Sequence, residues 1–219
     1  MGCVMVSVDV ERRIDPLDNL YYMLRARAEV LGLDVSLSKI IRQARDVLSR
    51  VENIEYGTRY VRATILSSIA SRGRPEHTVV VRGLDGRVRK VRVGVPLEQS
   101  YHNVIVSSRV LKCDCPVALR IASRADAFLE SIAKRYRYRI REPMLFSKHI
   151  LCKHTVAILA KAMDEGIIVM DDELIDNLSL ALIGLQIYEK GTLPRPAYDY
   201  LSRVAFEKSM RYRKKRHRI

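Results

Sequence analysis

Three cysteines and a histidine stand in two close pairs. Cys113 and Cys115 form C-D-C, Cys152 and His154 form C-K-H, and 36 residues separate the pairs. Thiolate and imidazole are donors that zinc prefers, and four of them close a tetrahedral shell. A closed shell keeps no place for water, so a single Zn2+ held this way is structural rather than catalytic. Three thiolates and a neutral imidazole leave the loaded site with a charge of about −1. Lys112, Lys148 and Lys153 lie close in sequence and can offset it. His149, three residues before Cys152, competes with His154 on residue type alone. The fourth cysteine, Cys3, reads as a small buried apolar residue. His77, His102 and His217 read as surface or hydrogen-bonded side chains.

Other chemistries lack their residues. The chain holds no Walker loop, no G-x-G-x-x-G after a strand and no H-E-x-x-H. Asp171 and Asp172 sit where a helix should begin and read as caps rather than as a catalytic pair. A zinc hydrolase needs an open coordination position, and here all four ligands are accounted for. The expectation is a non-enzyme with no small-molecule substrate.

The charge is segregated. The net charge is +14 over 219 residues. Residues 134–148 hold six Lys/Arg against one Glu, and residues 203–219 hold eight against one. Positive charge gathered this way points to a polyanionic partner more strongly than a diffuse excess does. In the first stretch Arg135, Arg137, Arg139 and Arg141 alternate with Tyr136, Tyr138 and Ile140. As a β-strand this puts the arginines on one face for phosphates and the tyrosines on the other, where they can stack on unpaired bases. The same pattern also suits an edge strand whose arginines guard against aggregation. In the tail, Arg211, Arg213, Lys214, Lys215, Arg216 and Arg218 suit non-specific phosphate neutralisation. Neither stretch reads a base sequence.

The elements around these residues follow from periodicity and caps. Val4, Val6, Val8 and Val10 alternate as a short strand. Asp15-Pro16 opens a helix that ends at Gly32. A second helix from about Ser36 carries Leu37, Ile40, Ile41, Ala44, Val47, Leu48 and Val51 as a buried stripe. The spacing of Val61, Ile65, Leu66 and Ile69 predicts a third over 58–71. A hairpin with Asp85-Gly86 at its turn comes next, then one strand over 101–112 leading into the first cysteine pair. Helices are expected over 117–134, from Cys152 to Gly166, over 172–190 and after Pro196. The fold class is α+β, in three stretches: a mainly helical lobe over 1–75, a metal module over 76–170 and helices with a basic tail over 171–219. With no long apolar run and no secretory signal, the expected address is the cytoplasm, with no membrane partner. Arg outnumbers Lys by 28 to 11 and amides are few, which suits a hot habitat.

A strand ending in C-D-C-P, followed by C-K-H-T-V-A-I-L, resembles the SWIM zinc finger, whose pattern is C-x-C…C-x-H. Cys113, Cys115, Cys152 and His154 match it residue for residue, and the resemblance selects His154 over His149. It covers roughly 79–166. The spacer is longer than the family's usual one, as though a helix and a basic strand were inserted. The resemblance implies an adaptor. SWIM proteins that stand alone in archaea are similar to Shu-type mediators, which pair with a RecA-family recombinase paralogue. The expected function is therefore an accessory role in DNA recombination or repair, with DNA preferred to RNA. The alternative is an RNA-binding, ribosome-associated zinc protein.

Overall fold

A computed structural model describes residues 15–67, 101–135 and 145–204 in full, and the backbone of 76–82 and 88–94. It confirms the α+β class: among the described residues, six helices pack around a four-stranded antiparallel sheet, and two further strands form a separate hairpin. No helix among the described residues is long and apolar enough to cross a membrane. The Val4–Val10 strand and Cys3 lie outside the described residues.

Helix α1 (Pro16–Val30) starts as its sequence predicts, with the Asp15 carboxylate accepting the Leu17 amide at 2.8 Å. It stops at Gly32 in the left-handed region, φ 66°. There Leu33 N donates to Ala28 O and Gly32 N to Glu29 O, the paired bonds that close a Schellman motif. Helix α2 (Leu37–Leu48) buries Leu37, Ile41, Ala44 and Val47 in one stripe.

The expected third helix over 58–71 is not there. Strand β1 (Val51–Tyr56) and strand β2 (Tyr60–Leu66) form a hairpin instead. Val61, Ala63 and Ile65 are buried at alternate positions, the period of a half-buried strand. The single strand expected over 101–112 is also a hairpin, made of β5 (Tyr101–Ser107) and β6 (Leu111–Cys113). Its turn contains no Gly, Asn or Pro. The Ser107 hydroxyl accepts the amides of Arg109 and Val110 at 3.2 and 3.0 Å and turns the chain. The sheet order is β1-β2-β5-β6. Strands β3 (Glu76–Arg82) and β4 (Val88–Gly94) pair antiparallel, from Glu76 opposite Gly94 to Arg82 opposite Val88; the expected Asp85-Gly86 turn lies outside the described residues.

Helix α3 (Pro116–Arg135), helix α4 (Lys153–Asp164) and helix α5 (Asp172–Lys190) follow the sequence expectation closely. Asp171 caps α5 through its side chain, at 2.7 Å from Leu174 N, as read from the sequence. A last helix, α6, spans 195–204. One cluster of buried side chains joins α1, α2, the sheet, α4 and α5, and a second joins α3, α5 and α6. Helix α5 is shared by both and is buried nearly all round. Its polar residues are satisfied: Ser179 accepts Arg27 Nε at 2.6 Å, and Gln186 accepts the Asp34 amide at 3.0 Å.

Tyr200 of α6 is buried against α5 and donates to Asp176 at 2.6 Å. Burial, then the bond to Asp176, pushes its hydroxyl up to about 12. A phenol whose folded pKa exceeds its unfolded value contributes stability that is present below pH 10 and fades as the pH rises through the folded value. The melting midpoint should therefore fall more steeply between pH 10 and 12 for the wild type than for Tyr200→Phe. Calorimetry of both across that range checks this, and parallel profiles would refute it.

Candidate metal centre

The four ligands come from three short elements that end at one point. Cys113 closes β6, where it pairs with Val104 of β5. Asp114 pins the bend after it, accepting Asn103 N and Asn103 Nδ2, each at 2.9 Å. Cys115 stands just before α3: its carbonyl accepts the Leu119 amide and its sulfur the Ala118 amide at 3.4 Å. Cys152 is the N-cap of α4, and His154 lies in the first turn. Two of the three sulfurs thus face helix N-termini, where amides and the helix dipole favour an anion.

A strand-like path holds the second pair against the first. Ile150 N donates to Leu111 O at 2.8 Å, and His149 bridges in parallel to Leu111. Thr155 then fixes the turn, its Oγ accepting Cys152 N at 3.0 Å and lying 2.9 Å from the Ile150 carbonyl.

Cys113, Cys115, Cys152 and His154 are all buried, and one donor atom from each lies within 4.8 Å of the others. The Cys115 and Cys152 sulfurs are 3.9 Å apart, and Cys113 Sγ is 3.7 Å from His154 Nδ1. The sulfur–sulfur gap is too wide for a disulfide, and all three cysteines are free. The four residues can hold a single metal ion. Nε2 of His154 is buried with no hydrogen-bond partner among the described residues. His149 takes the other path: its Nδ1 meets Asn177 Oδ1 at 2.5 Å, outside the cluster.

The sulfurs compete for protons. The neighbouring sulfurs of Cys115 and Cys152, together with burial, push the Cys113 thiol far above the usual range. Burial works against the Cys152 thiolate, but hydrogen bonds from Cys113, Cys115 and Thr155 outweigh it and lower its pKa. Three buried sulfurs in contact cannot all ionise without a counter-charge, which a thiophilic dication supplies.

No family model, curated protein or solved structure matches this chain. The site is therefore described by its own geometry.

Two neighbours of the centre escaped the sequence reading. The His102 ring lies 4.9 Å from the His154 ring and, chiefly through burial, has its pKa lowered. Asp114 stands 3.7 Å from His102 Nδ1. Asp114 is the middle residue of C-D-C, but His102 carries no motif signal, because only the β5–β6 pairing brings residue 102 beside residue 114. Lys112 and Lys148 are exposed and Lys153 is half-buried. Arg135 is an exposed residue in the last turn of α3, not the first residue of a strand. Tyr136, Arg137, Tyr138, Arg139, Arg141 and the tail residues Arg211, Arg213, Lys214, Lys215, Arg216 and Arg218 lie outside the described residues.

Proposed function

We propose that this protein is a SWIM-type zinc-finger adaptor that works on nucleic acid as an accessory factor for DNA recombination or repair. The observation that carries the reading is the buried Cys3His set, with C-x-C at a strand end and C-x-H at a helix start. Zinc suits it. A tetrahedron with Zn–S bonds of about 2.3 Å has sulfur–sulfur edges of about 3.8 Å. The 3.9 Å between Cys115 and Cys152 is close to that edge. Zinc here would supply structural cross-linking alone. Cys113 anchors the sheet, Cys115 the start of α3, Cys152 and His154 anchor α4, and Asp114 and Thr155 orient the two turns.

The polyanion partner rests on the segregated +14 charge. The RecA-family partner rests on the resemblance of the motif. Affinity capture of the tagged protein from its host, with and without nuclease, tests both. A nuclease-resistant RecA-family ATPase among the captured proteins is the expected result. Capture of ribosomal proteins that disappear after RNase treatment, or of no RecA-family protein, would overturn the mediator assignment.

A further inference from the structure

Helix α3 buries one face and leaves the other open. Ala118, Ile121, Ala125, Leu129 and Ala133 point into the protein. The outward side carries Arg120 and Arg124 near the start and Lys134 and Arg135 at the end, all exposed. Between them the outward positions are small: Ser123, Ala127 and Ser131. The helix has two acids. Asp126 is turned aside and accepts the Phe146 amide at 2.9 Å, and Glu130 flanks the cationic side. Arg120, Lys134 and Arg135 are exposed and make no side-chain hydrogen bond or ion pair among the described residues. Arg124 is steadied on α5, donating to the Tyr188 carbonyl at 3.0 Å with its guanidinium 5.3 Å from the Tyr188 ring centroid.

We infer that this face of α3 docks duplex DNA, with the helix seated in the major groove and the two cation pairs on phosphates of its two walls. The inference rests on the nucleic-acid reading above and names the form of nucleic acid and the element that meets it. Three features carry it. The charge is complementary and gathered on one helical face. The cation pairs lie about 15–23 Å apart at 1.5 Å per residue. That exceeds the groove width of about 12 Å, so both ends can reach phosphates. The small side chains between them let the helix backbone come close to the base edges. The major groove of A-form RNA is too deep and narrow to admit a helix, so the same face discriminates against RNA duplex. Cys115 and the β6 end fix the first turn of α3, so the face is presented by the metal centre.

The test uses the full chain loaded with zinc and three labelled probes of one sequence: duplex DNA, single-stranded DNA and duplex RNA. Anisotropy is read over a salt series. Arg120→Ala/Lys134→Ala/Arg135→Ala should weaken duplex DNA binding by at least about tenfold and make its log–log salt slope shallower by about 3. Ala127→Trp changes no charge but fills the middle of the face. It should weaken duplex DNA binding and leave single-stranded DNA binding unchanged. Zinc content and melting midpoint show that each variant is folded. If the triple variant binds duplex DNA like the wild type while deletion of residues 211–219 weakens it, the α3 assignment fails and the nucleic-acid reading stands. If the triple variant loses all three probes equally, or Ala127→Trp has no effect, the groove seating fails. If the wild type binds none of the probes, both readings fail.

Discussion

Cys152→Ser is expected to take the protein from one bound zinc to almost none and to lower its melting midpoint by about 6–20 °C. The side chain is 3% exposed and caps α4, and its sulfur sits 3.9 Å from that of Cys115. A serine there is a poor zinc ligand and leaves two thiols and a histidine without a counter-charge. Structural zinc contributes about 10–16 kcal/mol in isolated finger peptides. Here the ligands are also embedded in a core that runs from Leu17 to Leu185, so only part of that free energy should be lost. We expect about 3–5 kcal/mol, at about 2–4 °C per kcal/mol for a chain of this size. Mass spectrometry of bound metal and calorimetry with and without chelator measure both effects. Cys3→Ser should keep its zinc and melt near the wild type. If Cys152→Ser also kept one zinc and an unchanged midpoint, the metal centre would be wrongly assigned.

Phe146→Ala should cost about 3–5 kcal/mol without loss of metal. Phe146 is fully buried between α3 and α5 in the second cluster, away from the four ligands. Its ring lies over Gly184, where a Cβ would come 3.0 Å from the ring edge. This contact predicts coupling. Glycine within a helix forfeits about 1 kcal/mol relative to alanine, so Gly184→Ala would stabilise an unobstructed helix. Against Phe146 the gain should vanish or reverse, and in the Phe146→Ala background it should return. Urea denaturation of the four proteins of the cycle reads the difference. Equal effects of Gly184→Ala in both backgrounds would show that the ring does not press on the helix.

The parts legible in the sequence were those with local punctuation. Asp15-Pro16, Gly32, Gly166, Asp171 and Gly191 mark helix ends through caps that act within one turn, and the helices stand where those marks put them. The buried cluster of Cys113, Cys115, Cys152 and His154 was legible because C-x-C and C-x-H are each confined to three residues. The misreadings arose where local pattern is ambiguous. Val61 and Ile65 are four apart, which satisfies a helical period and a strand period alike. Ala63 decides between them, since it is buried in a strand and too small to announce itself. The β5–β6 turn was hidden because Ser107 turns the chain by side-chain hydrogen bonds rather than by a glycine. His102 could not be placed beside the ligands without knowing that pairing.

The 36 residues between Cys115 and Cys152 leave and return to sulfurs 3.9 Å apart. In polymer terms the stretch is a loop rooted at a single point, and doubling the length of such a loop costs only about 0.6 kcal/mol in closure entropy. Its root is held by the sheet, by α4 and by the two ends of the stretch itself, where the Ala118 and Leu119 amides meet Cys115 and Ile150 N meets Leu111 O. Selection can thus recharge the outward positions of α3, such as Ser123 and Ala127, while the buried face and the root stay still. The centre acts as a mounting on which the outer surface of the protein can be exchanged, much as a scaffold carries a variable loop.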